Sequence, residues 1–536
     1  MARVAPRAAH RRSEDVTEVG AETGPVYDAI VVGSGFAGSW AAKELAEAGF
    51  RTLVLEAGPV RRAAEIPDRA ASYAAAGHHD DRTWARQPVQ RSHFNFALRG
   101  PHLFVDDLEH AYETPPGKPY TWIRGMQVGG RSLLWGGSAL RLSPFEMTVG
   151  EVDGCSLSWP IGYDDLAAAY DVVEELVDLR GTAEDLAQLP DGRFRGKPPA
   201  LTPAEVHFQH IYRRRNTRPI PVRFVAADQG EDRWPGFTMQ ATALARAERT
   251  GRVTLRSDAR VTSVTVDPDN GRATGVSYVD VISGSRHHAR ARVVFLCGGT
   301  IETARLMLNS HSPRHPDGLG NSSGWLGRGL MDHPLVTSSG VLDGHPPMPT
   351  HPPAGRQSGL LVPPPQPETG DVRPFALWVT LQRGDSGPAP GGIDAQGEML
   401  PYWHNRVRLS DTRDRWGVPV PIIECGYGPH EDRLYHAMRS EVERAAWVAG
   451  LRLTAVADTL TAPGRNVHDL GTARMGRSPA DSVVDRNNRC WDAPNVFVAD
   501  GACFPSGGWQ NPTLTIMAIA VRAGRFAAGL LRDKAY

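Results

Sequence analysis

Two polar side chains in the C-terminal part of the chain have the chemistry needed to oxidise an alcohol. His468 opens the run His468–Thr472, and Asn511 lies further along, within Gln510–Thr515. A neutral imidazole can accept the hydroxyl proton, because its unperturbed pKa of about 6.5 lies near working pH. An asparagine amide can hold the substrate oxygen without competing for that proton. The pair predicts alcohol oxidation, provided that the fold brings both side chains to a cofactor that takes the hydride.

The N-terminal part supplies a site for such a cofactor. The apolar run 28–32 predicts a buried strand, Gly33–Gly38 (G-x-G-x-x-G) leads into a helix over 39–48, and a second strand over 51–55 ends at Glu56. In this context the glycines allow a tight turn, close approach of a pyrophosphate and close helix packing, and the helix N-terminus offers N–H groups to the phosphates. Glu56 can accept hydrogen bonds from the adenosine ribose, and its charge disfavours the 2′-phosphate of NADP.

A second glycine-dense segment, Gly129–Ser138, follows in the same part of the chain. Glycines packed so densely let backbone lie against a flat or extended ligand, although a loop between two elements would also explain them. At this point NAD and FAD both remain open as the cofactor.

Bulk composition limits the function classes. The 536 residues are too many for one simple core, so two joined domains are expected. A hydrophobic fraction of 41% and a formal net charge of −1 give no reason to expect nucleic acid or an anionic membrane as a partner. The five cysteines are scattered, which argues against a disulfide framework and favours a reducing, cytoplasmic setting. No apolar run reaches the roughly 18 residues that a membrane span needs, and residues 1–25 are expected to be a disordered tail.

The rest of the chain allows coarser predictions. Residues 60–115 lack periodicity and predict an excursion over the surface. Residues 253–280 and 292–297 predict strands, and the proline-rich stretch 341–388 predicts a loop-rich part of a substrate domain.

Other histidines could compete with His468. His333 stands in Asp332-His333-Pro334, where a structural role beside a proline turn is expected. The pairs His78-His79 and His287-His288 lack further ligands at metal spacing, so surface loops and no metal site are predicted there.

Taken together, five segments resemble the glucose–methanol–choline (GMC) oxidoreductases, a family that binds FAD and oxidises alcohols. The segments occur in the family's order and are spread over most of residues 27–530. They are Gly33–Gly38 with Glu56-Ala57-Gly58, Gly129–Gly137, Leu296–Leu306, Gly327–Pro334 and His468–Arg522. The resemblance implies a mixed α/β fold, with a Rossmann-like FAD-binding domain interleaved with a sheet-based substrate-binding domain. The FAD-binding domain would comprise residues 26–150, 240–335 and 465–536, and the substrate-binding domain residues 151–239 and 336–464.

The resemblance also implies roles for single residues. His468 and Asn511 match the family's catalytic pair. The residues carried over as FAD contacts are Gly33, Gly35, Phe36, Ala37, Gly38, Glu56, Ala57, Gly129, Gly130, Ser132, Trp135, Gly136, Gly137, Ser138, Val261, Asp500, Gly501, Asn511, Pro512 and Thr513. Among them, Val261 would meet the adenine through its backbone, Asp500 would bind the ribityl–phosphate region, and Asn511–Thr513 would lie beside the isoalloxazine.

One position departs from the sugar-oxidising branch that the C-terminal segment resembles. Pyranose oxidases often attach FAD through a histidine, and the matching position here is Leu134. Without a nucleophilic nitrogen that bond cannot form, so FAD is expected to be non-covalent.

The expected substrate is a sugar, a glycoside or an amino sugar. Four tryptophans offer flat faces for a sugar ring, with core packing as the alternative, namely Trp122, Trp135, Trp403 and Trp509. If the acidic residues Asp106, Asp107 and Glu109 reached the pocket they would attract an aminated sugar, which suggests an aminoglycoside hydroxymethyl oxidase of antibiotic biosynthesis. A GMC oxidase of a non-sugar alcohol or sterol, a flavin-binding protein without turnover and a nicotinamide-only dehydrogenase are the alternatives. The electron acceptor, oxygen or an external carrier, and the oligomeric state stay open.

Overall fold

The structure is a computed structural model that describes residues 26–66, 81–213, 217–226, 234–342, 359–365, 372–381 and 389–535. The predicted tail and the pair His78-His79 lie outside the described residues.

The helices, besides short 3-10 turns, are α1 (Phe36–Glu47), α2 (Asp81–Arg86), α3 (Phe94–Arg99), α4 (Pro144–Asp153), α5 (Asp164–Leu176), α6 (Pro203–Ile211), α7 (Ala243–Arg249), α8 (Thr300–Asn309), α9 (Pro429–Ala449) and α10 (Thr513–Arg532). The strands are β1 (Tyr27–Val32), β2 (Thr52–Leu55), β3 (Leu179–Arg180), β4 (Ile220–Pro221), β5 (Phe224–Val225), β6 (Val253–Arg256), β7 (Ala259–Val266), β8 (Ala273–Asp280), β9 (Arg286–Leu296), β10 (Leu335–Val336), β11 (Ser338–Leu342), β12 (Leu360–Val362), β13 (Phe375–Thr380), β14 (Ala389–Gly397), β15 (Arg406–Arg413), β16 (Pro419–Glu424), β17 (Leu451–Val456) and β18 (Val496–Val498).

The first sheet contains the predicted nucleotide-binding unit. Its parallel part has the order β6-β2-β1-β9-β18, and β8 and β7 extend it antiparallel to the first half of β9. Ile30, Val31 and Val54 are fully buried in this sheet, as is typical of parallel strands. The predicted strand–helix–strand unit is therefore confirmed as β1-α1-β2, with α1 beginning at Phe36, somewhat earlier than expected.

The C-terminal helix α10 forms part of the core around this sheet. It packs on α1 and α5, and Leu514, Met517 and Val521 are fully buried. Its length and mean hydropathy of 1.5 would suit a membrane span, but 67% of its apolar window is buried inside the protein. The helix fixes the position of Asn511, which lies just before it.

The second sheet is antiparallel. Its order is β17-β11-β14-β13-β12-β4, and β10 pairs with the far end of β14. Helix α9 covers it, because Leu434, Met438 and Val442 recur at helical spacing and are fully buried in one apolar cluster with the strands. The described parts of the proline-rich stretch thus contain the strands β12 and β13 and the end of β11, where a loop-rich part was expected. Its prolines at 363–365 follow β12 directly, where a missing N–H disturbs no ladder.

The expectation that residues 60–115 form a surface excursion holds for many of the described residues, but some of them are buried. Phe96 and Leu103 are buried in a small apolar cluster together with Leu133 and Leu134, which belong to the second glycine-rich segment. Short helices and 3-10 turns provide these side chains. Because such elements are only a few residues long, they leave no periodic pattern in the sequence.

Two elements expected in the substrate-binding domain pack on the core of the first sheet. Helix α5 contacts α10, and the hairpin β15–β16 contacts α8. Tyr170 of α5 and Ile423 of β16 are both fully buried in the main apolar cluster. The domain division drawn from the sequence remains a prediction.

Candidate active site

A cleft opens at the carboxyl end of β1. It encloses about 1390 Å³ of empty space, including the part open to solvent. The predicted FAD contacts that line it are Gly33, Gly35, Phe36, Ala37, Glu56, Ala57, Gly130, Val261, Asp500 and Gly501. Those that lie outside its wall are Gly38, Gly129, Ser132, Trp135, Gly136, Gly137, Ser138, Asn511, Pro512 and Thr513. A crevice at the carboxyl ends of parallel strands is where sheets of this kind bind nucleotides.

The glycine turn after β1 has a separate physical reason at each glycine. Gly33 has a φ of 93°, and a Cβ there would lie 2.5 Å from the carbonyl oxygen of Cys297. A Cβ at Gly38 would lie 1.9 Å from the Gly33 oxygen, so this glycine lets α1 pack against the strand. Gly35 differs, because the nearest atom to its Cβ would be Gly130 Cα at 4.0 Å. The protein itself does not require a glycine at position 35, which points to space kept for a ligand.

Glu56 ties the turn together at the end of β2. Its Oε2 accepts hydrogen bonds from the Ser34 N–H at 3.0 Å and the Ser34 hydroxyl at 2.7 Å, and its Oε1 accepts from the Gly58 N–H at 3.0 Å. Burial raises the pKa of this carboxyl, while those hydrogen bonds oppose the rise. A fourth hydrogen bond, from the Ala57 N–H, also opposes the rise. The carboxylate lines the cleft, and its contact with the adenosine ribose remains a prediction.

The second glycine-rich segment runs from the first turn to the catalytic pair. At one end the Gly129 N–H donates to the Ser34 hydroxyl at 3.0 Å. At the other end the Ser138 hydroxyl donates to Asn511 Oδ1 at 3.2 Å. In between, the Trp135 indole N–H donates to the Phe237 carbonyl at 2.8 Å, which fixes the ring. An extended ligand lying along this segment would reach from the nucleotide turn to Asn511.

Asp500 belongs to the wall of the cleft but is already bonded to the protein. Its Oδ2 accepts from the Gly299 N–H at 2.8 Å and the Thr303 hydroxyl at 2.6 Å, and its Oδ1 accepts from the Ala502 N–H at 2.9 Å. The carboxylate thereby joins the start of α8 to the turn after β18. Its contact with the ribityl–phosphate region remains a prediction.

The structure brings His468 and Asn511 together. Asn511 Nδ2 lies 3.2 Å from His468 Nε2. Neither side chain belongs to the wall of the large cleft, but Asp469 and Ile516, close to each in sequence, do. The loop of His468 therefore adjoins the cleft wall, because Arg131 and Asp469 line the cleft and Arg131 donates to Val467 O and Asp469 Oδ2.

The backbone that carries His468 is held in an unfavourable conformation. Val467 and Thr472 have φ values of 64° and 82°, in the left-handed region that β-branched residues rarely adopt. Buried Asp332 stabilises this loop, because its carboxylate accepts from the N–H groups of Gly464 at 2.7 Å, Asn466 at 3.1 Å and His468 at 3.0 Å. Such local strain is common where a side chain must be positioned for function.

His333 was expected to have a structural role only, and the sequence analysis missed its contact with His468. The two Nδ1 atoms are 2.8 Å apart, and His333 Nε2 lies 2.8 Å from the Gly508 carbonyl oxygen. No local sequence signal indicates the contact, because the two histidines are 135 residues apart and lie in separate loops.

Both imidazoles favour the neutral form. Burial lowers the pKa of His468 well below its usual value, with help from the nearby His333 and Arg131. Burial lowers the pKa of His333 to about 4. At neutral pH both rings are therefore unprotonated, and His468 has a nitrogen lone pair available for a substrate proton.

A further polar network behind His468 was not predicted. Asp469 accepts from the Tyr120 hydroxyl at 2.5 Å and forms an ion pair with Arg131 at 3.0 Å. Burial and the charge of Asp469 raise the pKa of Asp332 to about 7. Arg131 and Asp469 also line the cleft, so this network joins the loop of His468 to the cofactor cleft.

The tryptophans expected to stack on a sugar mostly do not face the cleft. Trp122 lines it, whereas Trp509 is 1% exposed and packs in an apolar cluster. Trp403 is 47% exposed, with the guanidinium of Arg328 3.9 Å from its ring centre. For Trp509, packing in the core is the better interpretation.

The acidic residues at 106–109 are paired with arginines. Asp106 and Glu109 both contact Arg86, and Asp107 lies 3.5 Å from Arg124. None of the three lines the cleft. Their charges are compensated within the protein, so they do not provide the attraction for an aminated substrate that the sequence suggested.

The residues of the cleft fit FAD. Arg124 lines it and is 8% exposed, yet its Nε has no hydrogen-bond partner among the described residues, and its Nη2 has only the 3.5 Å ion-pair contact with Asp107. Buried donors of this kind normally meet an acceptor, and FAD carries many. Together with the open space before Gly35 and the Glu56 carboxylate in the cleft wall, they match its pyrophosphate and ribose.

Family models match three parts of the chain. Two are described as GMC oxidoreductase and cover residues 233–335 and 401–520. The third is described as an FAD binding domain and covers residues 28–94. These ranges include the glycine turn, Val261, His333, His468 and Asn511.

Relatives of known activity match nearly the whole chain. A 2-methyl-1,2-propanediol dehydrogenase of Mycolicibacterium austroafricanum is 28% identical over 94% of this chain and 96% of its own length. A paromamine 6'-oxidase of Streptomyces fradiae is also 28% identical, over 94% of this chain and 92% of its own. Among solved structures, pyridoxine 4-oxidase from Mesorbium loti has a TM-score of 0.62 at 18% identity, covering 93% of this chain and 99% of that one. The last likeness shows the fold.

Proposed function

The chain belongs to the GMC oxidoreductase family and is an FAD-dependent alcohol oxidase or dehydrogenase, and from this premise we propose that it oxidises a hydroxyl group of a sugar, glycoside or amino sugar with His468 as general base. The observation that carries the proposal is the 3.2 Å contact between His468 and Asn511, next to Asp469 in the cleft wall. A base and an amide N–H donor that lie side by side can act on the same hydroxyl group: the amide orients its oxygen and the base takes its proton.

Each side chain has a defined task in this reaction. His468, held neutral by burial, accepts the hydroxyl proton, and Asn511 donates a hydrogen bond to the substrate oxygen. When bound, FAD takes the hydride that leaves the carbinol carbon. The Ser138 hydroxyl holds Asn511 Oδ1 and keeps its amide group turned towards His468.

The substrate class rests on the relatives. One relative is named for a vicinal diol and another for an amino sugar, and both substrates present a hydroxyl group beside further polar groups. We propose a polyhydroxylated substrate of that kind. A small non-sugar diol is the second candidate, because the diol dehydrogenase matches this chain as closely as the amino-sugar oxidase does.

We further propose that FAD is bound without a covalent bond. Leu134, at the position where pyranose oxidases often carry the linking histidine, is 5% exposed and packs in a small apolar cluster. A hydrocarbon side chain cannot form the bond. Denaturation with acid should therefore release all yellow flavin into the supernatant, and flavin that stays with the precipitate would contradict the proposal.

Replacing Asn511 tests the second member of the pair. We expect Asn511→Ala to slow flavin reduction by substrate about tenfold, since one hydrogen bond of roughly 1–1.5 kcal/mol is lost. Anaerobic rapid mixing measures the rate. Asn321→Ala is the control, because the Asn321 amide donates to the Asp317 carbonyl and does not line the cleft, and this variant should be reduced at the wild-type rate. A wild-type rate in Asn511→Ala would remove this residue from the mechanism.

A further inference from the structure

We propose that His333 is a positioning residue, which sets the ring nitrogen of His468 that carries the proton and so leaves Nε2 free to act as the base. The inference rests on the proposed function and adds a second histidine to it. It is drawn from one chain of hydrogen bonds that begins and ends in the loop before α10.

The chain of bonds starts at a group that can only accept. The Gly508 carbonyl oxygen lies 2.8 Å from His333 Nε2. A carbonyl has no proton to give, so His333 Nε2 must carry the hydrogen. A neutral imidazole has one N–H only, and His333 Nδ1 is therefore an acceptor.

The same reasoning then fixes His468. Its Nδ1 lies 2.8 Å from His333 Nδ1, and two bare nitrogens cannot form a hydrogen bond. His468 Nδ1 must therefore be the donor, and its Nε2 keeps a lone pair. That nitrogen is the one that faces Asn511.

The remaining contacts agree with this assignment. Asn511 Nδ2 can donate to a bare Nε2 at 3.2 Å, and its Oδ1 accepts from the Ser138 hydroxyl. Gly508 and Asn511 belong to one loop, so the bonds form a closed path from Gly508 through His333 and His468 back to Asn511. If the proton of either histidine moved to the other ring nitrogen, at least one hydrogen bond of this path would be lost.

The surroundings give the path little freedom. His333 is 1% exposed, and its ring meets that of His468 edge-on at 4.9 Å between centres. The groups that act on the charge of these rings are Glu398, Arg131 and His93. Asp332 holds the backbone of His468 but not its ring. Among the contacts described, only His333 meets Nδ1 of His468.

Two substitutions of His333 separate its two bonds. Asn places a carbonyl oxygen near the position of Nδ1, so His333→Asn keeps the acceptor for His468 and loses the bond to Gly508. Gln places an amide N–H near the position of Nε2, so His333→Gln keeps the bond to Gly508 and loses the acceptor. A purely structural role would make Gln, the larger residue, at least as good as Asn.

The experiment uses the FAD-loaded enzyme labelled with ¹⁵N-histidine. Long-range ¹⁵N–¹H correlation spectra show which ring nitrogen carries hydrogen, and His468→Ala identifies the signal of His468. We expect Nδ1–H in the wild type and in His333→Asn, and Nε2–H in His333→Gln. In anaerobic rapid mixing, His333→Gln should reduce its flavin at least roughly tenfold more slowly, as when a catalytic histidine takes the wrong tautomer, while His333→Asn keeps most of the rate.

The inference is overturned by Nε2–H on wild-type His468, by an unchanged spectrum or rate in His333→Gln, or by equal losses in both variants. These outcomes leave the proposed function intact if His468→Ala still abolishes flavin reduction. Conversely, a wild-type rate of flavin reduction in His468→Ala would exclude His468 as the base. The spectra of the wild type and the His333 variants would still show which ring nitrogen of His468 carries hydrogen.

Discussion

His468→Ala is expected to slow the reduction of bound FAD by substrate about 10²- to 10⁴-fold, the usual contribution of a general base. The reason is chemical, because no other imidazole in the described residues contacts Asn511, and the hydroxyl proton would have to leave without an acceptor. The flavin should stay bound, since His468 is not part of the cleft wall. Anaerobic rapid mixing gives the rate, and the flavin-to-protein absorbance ratio gives the occupancy.

A matched control for this substitution is His315→Ala. His315 is another buried histidine, 8% exposed, in a turn that does not line the cleft. Its loss removes a similar volume and should leave the rate of flavin reduction unchanged. Equal losses in the two variants would mean that any buried histidine matters for folding, and His468 would lose its assigned role.

Two alanine substitutions in the glycine turn should fail in different ways. Gly38→Ala places a Cβ 1.9 Å from the Gly33 oxygen, so β1 and α1 must move apart. We expect a loss of stability of about 1–3 kcal/mol or more, together with loss of FAD. At Gly35 the backbone φ is −68°, and the Cβ that Gly35→Ala adds would lie 4.0 Å from its nearest neighbour, Gly130 Cα. This variant should fold normally and bind FAD at least roughly tenfold more weakly, which is about 1.4 kcal/mol.

Thermal unfolding of the apoproteins separates the two effects, and titration with FAD gives the affinities. Gly529→Ala is the control, because its Cβ would meet nothing within 4 Å in helix α10. Gly529→Ala should leave the FAD affinity at the wild-type value and should leave the thermal stability unchanged or raise it slightly. An unchanged FAD affinity in Gly35→Ala would show that the ligand does not approach this backbone.

The nucleotide turn could be predicted because its determinants are local. An apolar run, three glycines at fixed spacing and an acid at the end of the next strand lie within one short stretch, and the structure places them around one cleft. The approach of Gly129 to Ser34 was not visible in either segment alone, although the density of glycines indicated a close backbone contact.

The partner of the general base could not be predicted in the same way. His333 and His468 lie in two loops that are 135 residues apart, with most strands of the second sheet between them in sequence. Hydrophobic periodicity reports on elements and gives no information about contacts between loops. The same limit explains the missed burial of Phe96, whose short helix is too brief to produce a pattern.

The most direct test of the central claim is anaerobic mixing of the FAD-loaded enzyme with a panel of sugars, glycosides, amino sugars and small diols. The account predicts that polyhydroxylated alcohols bleach the visible absorbance of the oxidised flavin and that the corresponding carbonyl product appears in equal amount. A flavin that stays oxidised with every member of the panel, or that is bleached only by sterols or simple apolar alcohols, would contradict it.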